Sequence, residues 1–295
     1  MTKRVIVAGT DGTDSSLAAV SWAAGEAQRR GLPLRIVYAF DWDWHESRFD
    51  IGNEYIDVAR QFADAVVAYA YDHAREVAPD ADITTDTLIG HAVPRLLDVS
   101  RGAELLVLGS RGRGGFTGLL LGSVSQRMAT HGTCPVVVVR GDAGPDGPVV
   151  AGVDDTSAAD QVLAAAFETA ANQGRPLTVV HSHQPPVPHW LTELPPAAVL
   201  THPEQDTADR ARLEERLALW REKYPGVPVE IVLTHDSAAS WLVGASRSAQ
   251  LVVVGGGHGG TVSRALLGST VLQLLHHAEC PVLITHHHTE GEAAQ

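Results

Sequence analysis

Two stretches in the first half hold residue types suited to gripping an anion. Gly109-Ser110-Arg111-Gly112 is followed, after nine residues, by Gly122-Ser123-Val124-Ser125. Glycines let a backbone approach a ligand closely and adopt positive φ. Successive N–H groups in such a turn form an anion nest. Ser123 and Ser125 fall where the pattern predicts a helix to begin, so hydroxyls and a helix N-terminus can meet a phosphate. Arg111 and Arg113 add positive charge. The second stretch, Asp11-Gly12-Thr13-Asp14-Ser15-Ser16, offers a carboxylate and a glycine turn leading into a helix. Plain strand–helix turns share these features, so the residues alone leave binding and connection both open. The string G-x-x-x-x-G-K-[ST] is absent, as is G-x-G-x-x-G after the first strand pattern, which disfavours a P-loop ATPase or a dinucleotide dehydrogenase.

Other candidate chemistry is thinner. His181, His183, His235 and His258 fall near predicted carboxyl ends of strands, where they could meet as metal ligands or a pH-sensitive group. Their spacing matches no tight metal motif, and no metal is assigned. Cys134 and Cys280 each precede a proline and lie three residues after His131 and His277. They read as buried structural cysteines at repeated positions. His286-His287-His288 reads as a solvated tail. There is no G-x-S-x-G elbow, and no catalytic residue is assigned. Ser123 reads as a helix cap bonding phosphate rather than a phosphoryl acceptor. Lys3 and Lys223 are the only lysines, and fast phosphoryl transfer usually needs more clustered positive charge.

The elements that must position these groups occur twice. Ala8-Gly9-Thr10-Asp11-Gly12-Thr13 recurs as Ala151-Gly152-Val153-Asp154-Asp155-Thr156, and residues 105–140 align without gaps to 251–286 with 12 identities in 36 positions. That is a domain-sized duplication, not a solenoid repeat. We expect one unit over 1–141, a second over 148–287, a Gly/Pro linker at 142–147 and a tail at 288–295. In the first unit, strands are predicted over 5–8, 34–40, 83–89, 105–109 and 136–140. Helices are predicted over 17–29, 55–77 and 93–101 and from near 123. The second unit repeats the strands over 149–153, 177–181, 229–234, 251–255 and 282–285. Apolar strands alternating with helices predict an open parallel α/β sheet covered on both faces. The polar or Pro-rich stretches 41–54 and 184–206 follow the second strand of each unit, where they could act as pocket lids. The apolar strands 136–140 and 282–285 would be hazardous as open edges, and pairing them with each other removes both edges.

Composition narrows the setting. The chain has 295 residues, net charge −13 and only 2 cysteines. No apolar run approaches the roughly 18 residues of a membrane helix. The N-terminus enters a strand pattern at once, unlike a secretory leader. A cytoplasmic protein without disulfides is expected. Both halves are acidic, so neither nucleic acid nor a membrane surface is an expected partner.

The G-x2-G-x9-G-[ST] loop, the early strand ending in Asp-Gly-Thr, and the closing Cys-Pro-Val-Val-Val-Val strand together resemble the universal stress protein family, over essentially the whole chain. The resemblance implies two tandem α/β sandwiches with mostly parallel five-stranded sheets, of the adenine nucleotide alpha hydrolase-like kind. It also implies pairing of the units through their last strands as an intramolecular pseudo-dimer, which leaves open a further homodimer. It further implies ATP binding, with Mg2+ carried by the nucleotide, and a stress-response role exerted through nucleotide-dependent conformation. The adenine-side carboxylate falls on Asp11, and the contact after the second strand near Ala39 and Phe40. The ribose and phosphate loop falls on Gly109, Gly112, Gly122, Ser123 and Val124, with Ser125 and Arg111 beside it. In the second unit the counterparts are Asp154, Gly255, Gly268, Ser269 and Thr270. There His258 stands in place of Gly112, and Asp155 replaces Gly12, adding negative charge near any phosphate. We therefore expect weak or no ATP binding in that unit. The alternatives are a slow ATPase or self-phosphorylating protein, and a module for a non-nucleotide ligand or partner on the same fold.

Overall fold

The computed structural model describes residues 4–40, 53–112, 121–141, 146–182, 203–256 and 267–286. The expected lids therefore lie outside the described residues, except for 53–54 and 203–206, which belong to helices.

The first unit runs β1 (Ile6–Thr10), α1 (Asp14–Arg30), β2 (Leu34–Phe40), α2 (Asn53–Val77), β3 (Ile83–Ile89), α3 (Ala92–Ser100), β4 (Leu105–Gly109), α4 (Ser123–His131) and β5 (Val136–Val139). The second runs β6 (Val149–Val153), α5 (Ala158–Gln173), β7 (Leu177–Ser182), α6 (Pro203–Lys223), β8 (Val229–Thr234), α7 (Ala238–Ala245), β9 (Leu251–Gly255), α8 (Ser269–His277) and β10 (Val282–Thr285). Helix α1 starts three residues earlier than its apolar spacing suggests. Thr13 caps it by accepting the Ser16 N–H, so the polar run Asp14-Ser15-Ser16 forms its first turn. The helix stops at Gly31, whose φ of 61° is left-handed and cheap only for glycine.

The strands form one ten-stranded sheet in the order β3-β2-β1-β4-β5-β10-β9-β6-β7-β8. All pairs are parallel except β5 with β10, which run antiparallel with Val282 opposite Val138 and Ile284 opposite Val136. The two apolar last strands cover each other, and the five-stranded halves fuse instead of standing as separate sheets. The outer strand β3 carries Thr84, Thr85 and Asp86, so the free edge is polar, which blunts edge pairing.

Strand alternation sends one set of side chains to each face. Ile6, Ala8, Leu34 and Ile36 pack with α1, α2, α5 and α6. Val7, Leu106, Val138 and Val252 pack with α3, α4, α7 and α8. Each core contains residues of both units.

Polar contacts also tie the units together. Glu26 on α1 is fully buried and bonds Arg29, Arg30 and, across the pseudo-two-fold, Gln173 on α5. Arg30 continues to Glu168 and Thr169. Burial pushes the Glu26 carboxyl up, but the Arg30 and Arg29 charges and bonds outweigh it and hold the group below its usual range. At the other face, Arg140 of the first unit donates to the carbonyls of Leu274, Leu275 and His276 at the end of α8. Reciprocally, His286 lies with Nε2 2.9 Å from the Ala129 carbonyl of α4. His286 is thus no tail residue. It leaves β10 directly under the end of α4, where the last helical carbonyls lack partners.

Candidate functional site

In a doubly wound sheet the crevice lies at the carboxyl edge where strand order reverses. In the first unit that point is β1, flanked by β2 and β4. The turn leaving β1 is built by Asp11, whose Oδ1 accepts from the Thr13 N–H at 3.1 Å and the Thr13 hydroxyl at 2.6 Å. Gly12 holds a φ of 79° within this turn. The Asp11 N–H in turn donates to Ser16 Oγ.

The turn leaving β4 is locked against it. The Arg111 N–H donates to Ser15 Oγ at 3.2 Å. The Gly122 N–H donates to the Ser110 carbonyl at 2.7 Å, which closes the 110–122 loop. Ser125 donates to the Gly109 carbonyl at 2.6 Å. The two turns approach so closely that glycine is required. A Cβ on Gly109 would lie 2.4 Å from the Ser15 carbonyl oxygen, and one on Gly112 would lie 2.6 Å from Asp11 Oδ2. Helix α4 begins beside this junction with Gly122 as an extended N-cap that offers no side-chain cap. Its first N–H groups therefore add to the donors at the same edge.

The structure thus brings Asp11, Gly109, Arg111, Gly112, Gly122, Ser123 and Val124 to one edge of the sheet. Arg111 and Ser123 are exposed there. Ala39 and Phe40 end β2, the neighbouring strand, and are half-buried. Ser125 differs from its expected place among the phosphate contacts: it is buried, and its hydroxyl is committed to Gly109. Arg113 lies outside the described residues. Ser15 was not singled out from sequence, although it latches the two turns. Its only sequence signal is its place in the polar run that opens α1.

In the second unit the reversal falls at β6, between β9 and β7. Asp154 repeats the turn, accepting from the Thr156 N–H at 3.0 Å and its hydroxyl at 2.6 Å. The rest departs. Asp155 stands for Gly12, and among the described residues no non-glycine residue has positive φ, so the backbone of the first turn is not reproduced. Ser157 takes the N-cap position in a helical conformation without a side-chain bond. Ala158 and Ala159 replace the latching hydroxyls of Ser15 and Ser16. A cavity of about 170 Å³ opens there, bounded by Val153, Ala158, Val162, Leu242, Val254 and the α8 residues Ser269 and Thr270. Gly255 and Gly268 also border it. A Cβ on Gly255 would reach only ordinary contact, 3.7 Å from Ala158 and Val162. Arg216 of α6 braces the turn from outside, bonding Asp160 and the carbonyls of Asp154 and Thr156.

The histidines do not gather into a ligand set. His181 is buried with Nδ1 3.3 Å from the Val153 carbonyl, and His235 pairs with Asp206. His183 and His258 lie outside the described residues. No metal-ligand cluster occurs among the described residues. Cys134 and Cys280 are free and buried, and burial pushes both thiols up to about 12. No helix among the described residues is long and apolar enough to cross a membrane.

Comparison with known proteins follows the same duplication. The model of the universal stress protein family matches residues 1–140 and again 147–286. Universal stress protein Rv2005c of Mycobacterium tuberculosis is 36% identical, covering 95% of this chain and 96% of that protein. Universal stress protein Rv2623 of the same species is 33% identical, covering 95% of each. Among solved structures, a universal stress protein from Archaeoglobus fulgidus superposes with a TM-score of 0.72 over 97% of this chain and 99% of that chain, at 18% identity. That last likeness concerns the fold.

Proposed function

The chain belongs to the universal stress protein family, and on that premise we propose that it is a cytosolic ATP-binding regulator of a stress response, acting through nucleotide-dependent conformation. The first unit holds the nucleotide. Asp11 faces the adenosine end, with Ala39 and Phe40 beside it. Gly109, Gly112 and Gly122 let the backbone close around ribose and phosphates. The N-terminus of α4, with Ser123 and Val124, supplies donors, and Arg111 supplies charge. Ser125 is a positioning residue that fixes α4 to Gly109. Mg2+ arriving with ATP would screen the phosphates. Asp154, Gly255, Gly268, Ser269 and Thr270 form the altered counterpart in the second unit. The functional domains are taken as 1–141 and 148–287.

The observation that carries this reading is the 2.6 Å approach of the Gly112 backbone position to Asp11, beside a helix N-terminus without a side-chain cap. A mere strand–helix connection does not require two turns from separate strands to abut through glycines.

The test is the nucleotide content of the purified chain after denaturation, paired with a thermal-shift titration of ATP–Mg on wild type and Gly122→Ala. A Cβ on Gly122 comes no nearer than 3.4 Å to its neighbours, so the alanine fits the loop itself. ATP in the purified chain, and stabilisation growing with ATP concentration, are expected for wild type. Both should fall away in Gly122→Ala. Absence of nucleotide and of any shift in wild type would overturn the proposal.

A further inference from the structure

The cavity of the second unit is not a looser copy of the first site. It exists because two hydroxyl groups became methyl groups. Ser15 and Ser16 spend their oxygens on Arg111 N–H and Asp11 N–H, drawing the first unit's turns together. Ala158 and Ala159 can make neither bond, and the turn leaving β6 stands away from β9. The space is about 170 Å³. An apolar cavity of roughly 150 Å³ is known to accept a benzene-sized ring. Its walls are aliphatic, from Val153, Val162, Leu242 and Val254.

The charge around it is equally specific. Asp154 borders the cavity and Asp155 stands exposed next to it. No cationic side chain lines it among the described residues. The nearest such group on the page, Arg216, has all three guanidinium nitrogens engaged, with Asp160 at 2.8 Å and the carbonyls of Asp154 at 3.3 Å and Thr156 at 2.9 Å. Turning it inward would break all three bonds. The polar groups that remain are the Ser269 and Thr270 hydroxyls and the N-terminal N–H groups of α8, whose N-cap Gly268 provides no side-chain cap. These suit hydroxyl and ring-nitrogen acceptors.

We infer that the second unit is a site for an uncharged flat heterocycle, of the nucleoside or free-base class, that discriminates against phosphorylated forms. The choice of a heterocycle among apolar ligands rests on the nucleotide reading of this edge of the fold. The discrimination rests on the cavity's own charge and shape.

The test is calorimetric titration of the full-length chain with adenosine, AMP and ATP–Mg, in a Gly122→Ala background that disables the first unit. Adenosine is expected to bind. Each step up in phosphate charge should weaken binding by roughly tenfold or more, since unit charges about 4 Å apart interact by at least ~1 kcal/mol. Ala158→Leu, which fills the cavity, should abolish adenosine binding. Gly255→Ala, whose Cβ has room, should weaken it without loss of the native thermal transition. In the wild-type background Ala158→Leu should leave ATP binding by the first unit intact. The inference is overturned if adenosine fails to bind, if its binding survives both cavity variants, or if ATP binds as tightly as adenosine in a manner that Ala158→Leu removes. ATP binding that survives both Gly122→Ala and Ala158→Leu counts instead against the first-unit assignment, so the two readings fail separately.

Discussion

Replacing Arg140 by alanine tests how the two units are joined. Arg140 follows β5, the last strand of the first unit, yet its guanidinium is spent on the second. Nη1 lies 3.1 Å from the Leu274 carbonyl and also bonds Leu275, and Nη2 lies 2.8 Å from the His276 carbonyl. These are among the last carbonyls of α8, which have no partner within the helix. A bond to a charged group contributes about 1.5–3 kcal/mol in isolation, and a cation at a helix C-terminus about 0.3–2 kcal/mol. Burial, and then the like charge of Arg111, lower the pKa of Arg140 and so oppose the cap. The three bonds share one side chain and do not add fully. A net loss of about 2–4 kcal/mol is the working figure, with Tm falling by roughly 5–12 °C. Calorimetry and urea unfolding measure it. Arg140→Lys keeps charge but cannot fork across three carbonyls, so it should recover less than half of the loss. His286→Ala, which removes a single bond to Ala129, should cost only about 1 kcal/mol. If Arg140→Ala melts within a degree of wild type, or if Arg140→Lys restores it fully, the cap is not holding the units together.

Three further outcomes follow from the geometry. Glu26→Gln should destabilise the chain by about 3 kcal/mol, the scale of breaking a buried ion pair. Because Glu26 has a depressed pKa, its contribution is fully present above the unfolded value near 4.3 and fades as pH falls through the lower folded value. The gap between wild type and variant should therefore be constant at neutral pH and close under acid unfolding, and a gap that widens as pH drops would contradict this. Gly109→Ala places a Cβ 2.4 Å from a backbone oxygen, whereas Gly255→Ala meets only 3.7 Å contacts. The first should cost about 2–3 kcal/mol and the second close to nothing in unfolding experiments; equal costs would show that the two turns are equivalent after all. Cys134 and Cys280, with thiols pushed up to about 12, should resist an aromatic disulfide reagent at pH 8 in the native chain and both react on denaturation. Rapid native labelling would show that the start of β5 or β10 opens.

Much of the fold was legible because its signals are local. The duplicated Gly-Thr-Asp and Cys-Pro-Val strings, the apolar strand runs and the glycine loop each report on neighbouring residues in the chain. The edge argument also reached the β5–β10 pairing, since two apolar closing strands need cover. The sites were less legible because hydrogen-bond assignment is not local. Ser125 looked like a ligand contact from its place at a helix start, but its hydroxyl meets Gly109, 16 positions away. Ser15 looked like filler, yet it meets Arg111, 96 positions away. His286 looked like the start of a tail, and it caps a helix 157 positions earlier.

The sequence by itself therefore determined the class of fold, the twofold repeat, and the residue types present at each carboxyl edge. It also recorded that the second unit had lost a glycine and gained an aspartate. What that loss does was decided only by tertiary structure. Whether a missing hydroxyl leaves a void depends on what packs opposite it. Opposite Ala158 and Ala159 stand the aliphatic side chains of Val162, Leu242 and Val254, which cannot reach across to replace two hydrogen bonds. One unit therefore closes on itself through hydroxyls and glycines, while its duplicate stays open around an apolar cavity.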